Sequence, residues 1–191
     1  MPAHYSRTSQ RATGFTLVEL VVTVAVLAII LAIGLPSFRI IVANNRLAGT
    51  ANEMLALVQT AKLEAVRRNA IVDICPSANG TTCGGTDWSR VIAFSNGTGQ
   101  GVIRELQAPN GLTVRVSSDI SGFNNRIRFR PDGFAWRGDA TPVERLTARI
   151  QVCAPGSSPT LNARNLSFAG ARVSVDAPVA AGSGCNAALA N

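Results

Sequence analysis

Histidine and lysine are almost absent from the sequence. Among its 191 residues, His4 is the only histidine and Lys62 is the only lysine. Nucleophilic enzymes commonly use a histidine as the base beside a serine or cysteine, and zinc sites frequently include imidazole ligands. The sequence therefore argues against a Ser/His or Cys/His enzyme and against a histidine-based metal site. We expect a protein without catalytic activity, metal or cofactor.

Acidic and aromatic residues are also few. Aspartate and glutamate together number 11 against 18 basic residues, which gives a net charge of +7, and aromatic residues make up 5% of the chain. Every basic residue except Lys62 is an arginine. A guanidinium binds phosphate, carboxylate or anionic lipid through its planar fork of N–H donors. The charge therefore permits an anionic partner but does not choose its class.

Four cysteines, Cys75, Cys83, Cys153 and Cys185, form an even set in a chain with an export-like start. This combination is typical of disulfides in an oxidising compartment. A four-thiolate zinc site is the alternative, but such sites usually use two tight C-x2-C pairs, and these spacings are wide. Three pairings are possible. Sequence order and local reach favour Cys75–Cys83, which leaves Cys153–Cys185 to pin the C-terminal tail.

The N-terminal region combines a basic start with a long apolar run. Residues 1–14 carry Arg7 and Arg11 and no acid, and Glu19 is the only charge between Phe15 and Leu35. At about 1.5 Å per residue this run is long enough to span a bilayer as a helix. The basic flank predicts a single pass through a membrane with a cytoplasmic N-terminus and the C-terminal domain on the opposite side. A cleaved secretory signal is the alternative, but its apolar core is usually shorter.

Residues 36–70 predict an amphipathic continuation of the same helix. Apolar side chains recur at alternating spacings of four and three, which places them on one stripe of a helix. We expect this helix to end near Asn69. The residues of the stripe are Leu47, Ala51, Met54, Val58, Ala61 and Ala65.

Residues 71–176 predict a domain rich in β-strands. The apolar periodicity changes to two, and turn residues interrupt the runs. Short strands between turns indicate antiparallel sheets, which the apolar stripe of the helix can cover, so the predicted fold class is α+β. We expect residues 177–191 to be loose apart from Cys185. The predicted strands are 71–75, 90–94, 102–107, 112–116, 126–130, 148–153, 165–168 and 172–175.

The stretch Gly14-Phe15-Thr16-Leu17-Val18-Glu19 stands between the basic start and the apolar helix. It resembles the cleavage and methylation motif of type IV prepilins and type II secretion pseudopilins. The resemblance implies that a prepilin peptidase cuts between Gly14 and Phe15, so residues 1–14 are a leader. It also implies N-methylation of Phe15.

The resemblance further assigns a role to Glu19. Placing an unpaired carboxylate in lipid costs about 2.5–3.5 kcal/mol on the scales derived from membrane insertion, which give the lowest estimates. In the resembled filaments the apolar helices bundle in the core, and this glutamate pairs with the methylated amino terminus of a neighbouring subunit. Pairing reduces the cost of a buried carboxylate, so Glu19 would favour assembly and set axial register. The alternative is a side chain that merely lies near the membrane surface and extends to water.

Later stretches narrow the resemblance to the GspH/FimT family of minor pilins and pseudopilins. They are AKLEAVRRNA, ICPSANGTTC followed by Trp88, IRFRPDG and RNLSFAGARVSV. The resemblance implies a type IV pilin-like fold and a low-copy subunit at or near the tip of a type IV pilus, where it helps to initiate assembly. A minor pseudopilin of a type II secretion system is an alternative. The partners that the resemblance implies are the prepilin peptidase, other minor and major pilins and the inner membrane, which the chain would cross once with its C-terminal domain in the periplasm. Trp88, Phe129 and the turn Pro131-Asp132-Gly133 are expected to be structural.

DNA is a further partner to consider, because some FimT-type proteins are associated with DNA uptake through a Gly-Arg-x-Arg element. Here the corresponding stretch is Gly170-Ala171-Arg172, which lacks the second arginine of that element. Alternation places Arg126, Arg128 and Arg130 on one face of a strand. Such a face can neutralise phosphates, or it can be solvated or pair with acids of neighbouring subunits. The candidate DNA-binding residues are Arg126, Arg128, Arg130, Arg164 and Arg172.

Overall fold

The computed structural model describes residues 14–97, 99–138, 144–156 and 160–189. The chain divides into two compact units, residues 1–39 and residues 40–191. The predicted leader lies outside the described residues except for Gly14.

Helix α1 extends from Leu17 to Arg68, which confirms the predicted end near Asn69. Within the first unit its apolar side chains are exposed; Leu17, for example, is 77% exposed. By length and composition this N-terminal part of the helix is able to cross a membrane. An apolar surface of this kind needs lipid or another protein around it.

In the second unit, helix α1 is one-sided. All six residues of the predicted apolar stripe are buried, with at most 1% of any of them exposed. Side chains such as Gln59 and Arg67 on other faces are exposed. The spacing of the apolar residues therefore predicted correctly which face of the helix is covered.

Two antiparallel sheets cover that face. One has the strand order β3-β2-β1-β5-β6 and the other β4-β7-β8-β9. A short helix, α2 (Ser118–Ser121), follows β4. The strands are β1 (Val72–Pro76), β2 (Arg90–Ser95), β3 (Gly101–Gln107), β4 (Thr113–Val116), β5 (Ile127–Phe129), β6 (Ala135–Arg137), β7 (Thr147–Cys153), β8 (Ala163–Ala169) and β9 (Arg172–Val175).

A single apolar core joins the helix to both sheets. Met54 from the helix, Phe129 from the first sheet and Phe168 from the second belong to the same buried cluster. Trp88 belongs to it as well and is 2% exposed, so the structural reading of this residue and of Phe129 is confirmed. The predicted α+β class, a long helix packed on antiparallel sheets, is correct.

All eight predicted strands are present, with ends that differ by no more than two residues. Strand β6 and helix α2 were not predicted. Strand β6 has the sequence Ala-Trp-Arg, which shows no alternation, whereas the equally short β5 lies within the alternating run from Arg126 to Arg130. Helix α2 has four residues, too few for a period of 3.6 residues to become visible. The turn before β6 is confirmed: Gly133 has φ +75°, and the Phe134 N–H donates to Asp132 Oδ1 at 3.0 Å.

An ion-pair network closes the C-terminal end of helix α1. Glu64 accepts from Arg67 Nη2 at 2.7 Å and from Arg68 Nε at 2.6 Å. These two guanidinium groups lower the pKa of Glu64 from 4.5 to about 2. Arg68 Nη1 also donates to the carbonyl of Gly99 at 3.1 Å, which fastens the end of the helix to the β2–β3 turn.

Both disulfides favoured by the sequence are present. Cys75 and Cys83 are joined with a Cα–Cα distance of 5.5 Å, and Cys153 and Cys185 with a Cα–Cα distance of 6.0 Å. No described cysteine is free. A zinc site made of four thiolates is therefore excluded.

The C-terminal tail is more firmly held than the sequence suggested. Ala181 and Cys185 are buried in a second small cluster with Cys153 and Ala163. Asn162 acts as a clamp, because its side chain donates to the Gly182 carbonyl at 2.8 Å and accepts from the Ala181 N–H at 2.9 Å.

Arg115 holds the end of the tail as well. Its Nη1 atom donates to the carbonyl oxygens of Cys185 and Ala187. The expectation of a loose segment was wrong, because composition does not reveal polar partners that lie on distant strands.

Removal of either disulfide is expected to destabilise residues 40–191 by different amounts. The loops contain 8 and 32 residues by sequence separation, and loop-closure entropy gives about 2.5 and about 3.7 kcal/mol for them. We therefore expect Cys153→Ala/Cys185→Ala to lower the free energy of unfolding more than Cys75→Ala/Cys83→Ala. Urea unfolding followed by circular dichroism measures both values. The opposite order would show that strain or residual structure, and not loop length, sets the two contributions.

Candidate functional site

Gly14 and Phe15 lie immediately before helix α1. A Cβ atom added to Gly14 would have no heavy atom within 4 Å, so packing does not require glycine at this position. Phe15 is 75% exposed. Both residues are thus accessible from solvent, lipid or a bound enzyme, as a processing site must be.

Glu19 lies in the first turn of helix α1 and is exposed. Its backbone N–H donates to Thr16 Oγ1 at 3.2 Å, so Thr16 caps the helix. The sequence Thr-x-x-Glu is that of a capping box, in which the threonine side chain satisfies a free N–H group of the first turn. The helix therefore carries its own start signal downstream of Gly14. The carboxylate lies at the end of the helix where the macrodipole favours negative charge.

Asp73 on strand β1 was not singled out from the sequence, yet it determines what two of the candidate arginines do. It is 1% exposed and directly opposite Arg128 in the β1–β5 register. Arg128 binds it through a fork, with Nε at 2.9 Å from Oδ1 and Nη2 at 3.1 Å from Oδ2. Arg126 Nη1 and Asn96 Nδ2 donate to Oδ2 at 3.3 and 2.7 Å. This buried carboxylate therefore has four donors.

The remaining candidate arginines are not held in this way. The Arg130 guanidinium stacks on the Trp136 ring, 4.7 Å from its centroid. Arg164 on β8 lines an open cavity of about 400 Å³ with Leu47 and Leu161.

Arg172 is exposed at the start of β9 and lines a second cavity, of about 220 Å³, with Lys62. Lys62 Nζ donates to the Ala171 carbonyl at 2.8 Å, which ties helix α1 to the β8–β9 turn. The five candidate arginines are consequently distributed over both sheets.

The sequence contained one signal for the Asp73 network. Asp73 is the only charged residue between Ala70 and Cys75, and the strand that holds it is buried at every position. A charge in such a strand must be paired, because an isolated buried carboxylate is strongly unfavourable. The sequence did not reveal the partners, which lie 53 and 55 residues further along the chain.

Metal binding has no support in the described part of the chain. No group of three or more histidine, cysteine, aspartate or glutamate side chains there is placed to hold an ion. The candidate functional groups are therefore the single carboxylate of an exposed apolar helix and a set of arginines, of which some already pair with a carboxylate and others do not.

Comparison with known proteins gives two family matches. The family described as type II transport protein GspH matches residues 50–176. The family described as prokaryotic N-terminal methylation motif matches residues 9–35, which contain Gly14, Phe15 and Glu19. No protein in the curated set is a significant match.

Two solved structures resemble the chain, both of the type IV minor pilin FimU from Pseudomonas aeruginosa PAO1. The crystal form in space group P21 has a TM-score of 0.51 at 19% identity, over 70% of this chain and 90% of that chain. The form in space group P65 has a TM-score of 0.48 at 19% identity, over 69% and 93% of the two chains. At this identity the first likeness concerns the fold alone.

Removal of the Asp73 carboxylate should be costly. In Asp73→Ala the guanidinium groups of Arg126 and Arg128 lose this carboxylate while only 28% and 20% of their side chains are exposed. We expect a loss of about 3 kcal/mol in the free energy of unfolding, as for other broken buried ion pairs.

Glu105→Ala provides a matched control. Glu105 is 43% exposed and pairs with Arg90 at 3.2 Å, and an exposed pair of this kind contributes at most about 1 kcal/mol. Urea unfolding of residues 40–191 measures both variants. Equal losses would contradict the conclusion that the buried ion pairs of Asp73 stabilise the fold more than an exposed pair does.

Proposed function

We propose that this chain, which belongs to the family of the type II transport protein GspH, is a minor pilin that helps to initiate a type IV pilus and lies at or near its tip. The observation that carries the proposal is the order of features at the N-terminus. A methylation motif precedes a helix whose first turn holds one carboxylate and whose apolar side chains are exposed.

The methylation motif implies processing by a prepilin peptidase and pilins as partners. In our proposal the peptidase cuts between Gly14 and Phe15, and Phe15 is then N-methylated. Before assembly the subunit is held in the inner membrane by a single pass, with the N-terminus in the cytoplasm and residues 71–176 in the periplasm. The two disulfides agree with an oxidising compartment.

Glu19 is proposed to direct assembly. Cleavage after Gly14 creates a cationic amino terminus on Phe15, four residues before this carboxylate. In lipid the carboxylate is stabilised by the N-terminal end of its own helix. In a bundle of such helices it can pair with the amino terminus of a neighbour, which offsets part of its desolvation cost. The pairing therefore favours the filament over the free subunit and sets the axial register.

The second machine to consider is a type II secretion system, in which the chain would be a minor pseudopilin. The family description favours this alternative, whereas the fold likeness to FimU, a type IV minor pilin, favours the pilus. The genes beside the coding sequence discriminate between the two. Neighbouring genes for pilus minor subunits support the proposal, and genes for secretion components support the alternative.

Duplex DNA is a candidate partner because of the arginines that have no acid beside them. Across the described residues, Arg164 and Arg172 pair with no carboxylate, and residues 15–191 carry a net charge of +5. Arg126 and Arg128 are removed from this proposal, because Asp73 neutralises part of their charge.

The assembly role predicts a specific defect in Glu19→Ala. The variant should insert into the membrane and lose its leader as the wild type does, but its incorporation into filaments should fall by about tenfold or more, as expected for the loss of a charge-assisted pair. Immunoblots of sheared filaments and of the membrane fraction measure the two quantities.

Glu53→Ala is the control for this experiment, since Glu53 is an exposed carboxylate on the same helix. It should be incorporated normally. Normal incorporation of Glu19→Ala would show that the carboxylate does not direct assembly.

The DNA candidate predicts a titration with a salt-dependent affinity. The full chain in nonionic detergent should bind a labelled duplex at low salt, and Arg164→Gln/Arg172→Gln should reduce the slope of log affinity against log salt by about 2. Arg104→Gln, which removes an exposed arginine of β3, is the control. Absence of binding at low salt, or an unchanged slope in the double variant, would exclude this partner.

A further inference from the structure

Two arginine–aromatic pairs lie side by side at the edge of the first sheet. Trp136 on β6 is opposite Arg128 on one side and forms an isolated bridge with Arg145 on the other. Arg130 stacks on the Trp136 ring at 4.7 Å, and Arg145 stacks on the Phe134 ring at 3.9 Å from its centroid. We call Arg130, Trp136, Phe134 and Arg145 the stacked-arginine surface.

The guanidinium groups of this surface retain their hydrogen-bonding capacity. Stacking on a ring uses the flat face of a guanidinium and leaves the N–H donors in its plane available. Within the described residues, neither Arg130 nor Arg145 donates a side-chain hydrogen bond or pairs with a carboxylate. Neighbouring Arg137, by contrast, is paired with Asp119 at 2.8 Å and with Glu144 at 2.9 Å.

The surface is held in place by the turns around it. A Cβ atom added to Gly170 in the β8–β9 turn would lie 3.5 Å from Phe134 Cδ1 and 3.8 Å from Arg145 Cδ. The Ala135 N–H donates to the Gly170 carbonyl at 3.2 Å. Both arginine side chains are already positioned on rings, so little of their conformational entropy would be lost when a ligand binds them.

We propose that the stacked-arginine surface binds a pair of carboxylates on an acidic segment of a neighbouring pilin subunit. The inference rests on the proposed function, which supplies a filament in which such a neighbour exists. A planar guanidinium fork matches a carboxylate through two parallel hydrogen bonds. The charges are complementary, because the surface offers two cations that lack acidic partners among the described residues.

A carboxylate beside the surface favours a protein segment over nucleic acid. Asp132 is exposed, and its Oδ1 atom lies 3.5 Å from Trp136 Nε1. A DNA duplex carries one charge per about 1.7 Å, so a duplex placed across the surface brings phosphates towards Asp132. A short acidic loop can place two carboxylates without further charges. The rings, each covered by a guanidinium on one face, are also poorly suited to stacking bases.

Peptide binding to the full chain in nonionic detergent tests the surface without a filament. The probe is a labelled peptide with two adjacent glutamates, compared with the same peptide carrying glutamines and with a labelled DNA duplex. We expect the glutamate peptide to bind the wild type about tenfold more tightly than Arg130→Gln/Arg145→Gln, because charge-assisted hydrogen bonds are lost. Arg104→Gln, with an exposed arginine removed elsewhere, should bind as the wild type does.

A charge-preserving variant separates geometry from net charge. Arg130→Lys/Arg145→Lys keeps both charges but lacks the planar fork, so we expect binding close to that of the glutamine variant. Wild-type affinity in the lysine variant, or preferential binding of the duplex, would overturn the proposal. Circular dichroism spectra identical to the wild type establish that each variant is folded.

Incorporation into filaments tests whether the partner of the stacked-arginine surface is a pilin subunit. Arg130→Gln/Arg145→Gln should be incorporated less than the wild type, and Arg104→Gln equally. If the wild type enters filaments and the double variant enters equally well, the surface has no pilin partner and the inference is wrong, while the proposed function stands. If the wild type enters no filament, the proposed function fails and this occupant fails with it, whatever the peptide result.

Discussion

The contact between one stripe of helix α1 and two antiparallel sheets is the constraint on which the second unit depends. The two sheets share no strand, and each contributes side chains to the same buried cluster as the helix. Side chains such as Met54 and Val58 have no exposed surface at all. Burial of apolar area is the principal stabilising term in folding, so in this unit the helix stabilises the fold. In the first unit the apolar side chains of the same helix are exposed. One secondary-structure element thus serves two environments, and the change in its pattern of apolar residues marks the transition.

The periodicity of the sequence was sufficient to predict helix α1, its buried face and eight of the nine strands in the described residues, because each lies in a run that repeats its pattern. The exceptions have physical reasons. Strand β6 has the sequence Ala-Trp-Arg, which shows no alternation. The tail has the composition of a loose segment, but Asn162 and Arg115 supply hydrogen bonds to it from other parts of the fold. Long-range polar contacts of this kind leave no local mark on the segment they hold.

The N-terminal motif was recognisable from the sequence alone, since Gly14, Phe15 and Glu19 belong to one contiguous stretch, and the methylation-motif family matches residues 9–35; the roles of the three residues stay predictions. The arginines were only partly predictable. Alternation correctly placed Arg126 and Arg128 together, but charge counting does not identify a buried acid opposite them. Asp73 changes these two residues from candidate ligand-binding groups into parts of the fold. Arg145, which the sequence did not single out, lacks such a partner in the described residues and is exposed. Whether an arginine can bind a partner is therefore decided by its neighbours on adjacent strands, and pairing between strands far apart in sequence is the information that a single sequence withholds.

The position of Cys185 after the last strand of the second sheet has a consequence for the order of events during biogenesis. The bond to Cys153 joins the tail to strand β7, and Ala181 is buried beside it. In the proposed topology Cys185 leaves the ribosome and crosses the membrane after every strand of that sheet. The second sheet consequently cannot receive its covalent closure until the chain has been translocated as far as Cys185. Formation of the bond would then distinguish subunits whose second sheet has wholly crossed the membrane from those in which it is still in transit.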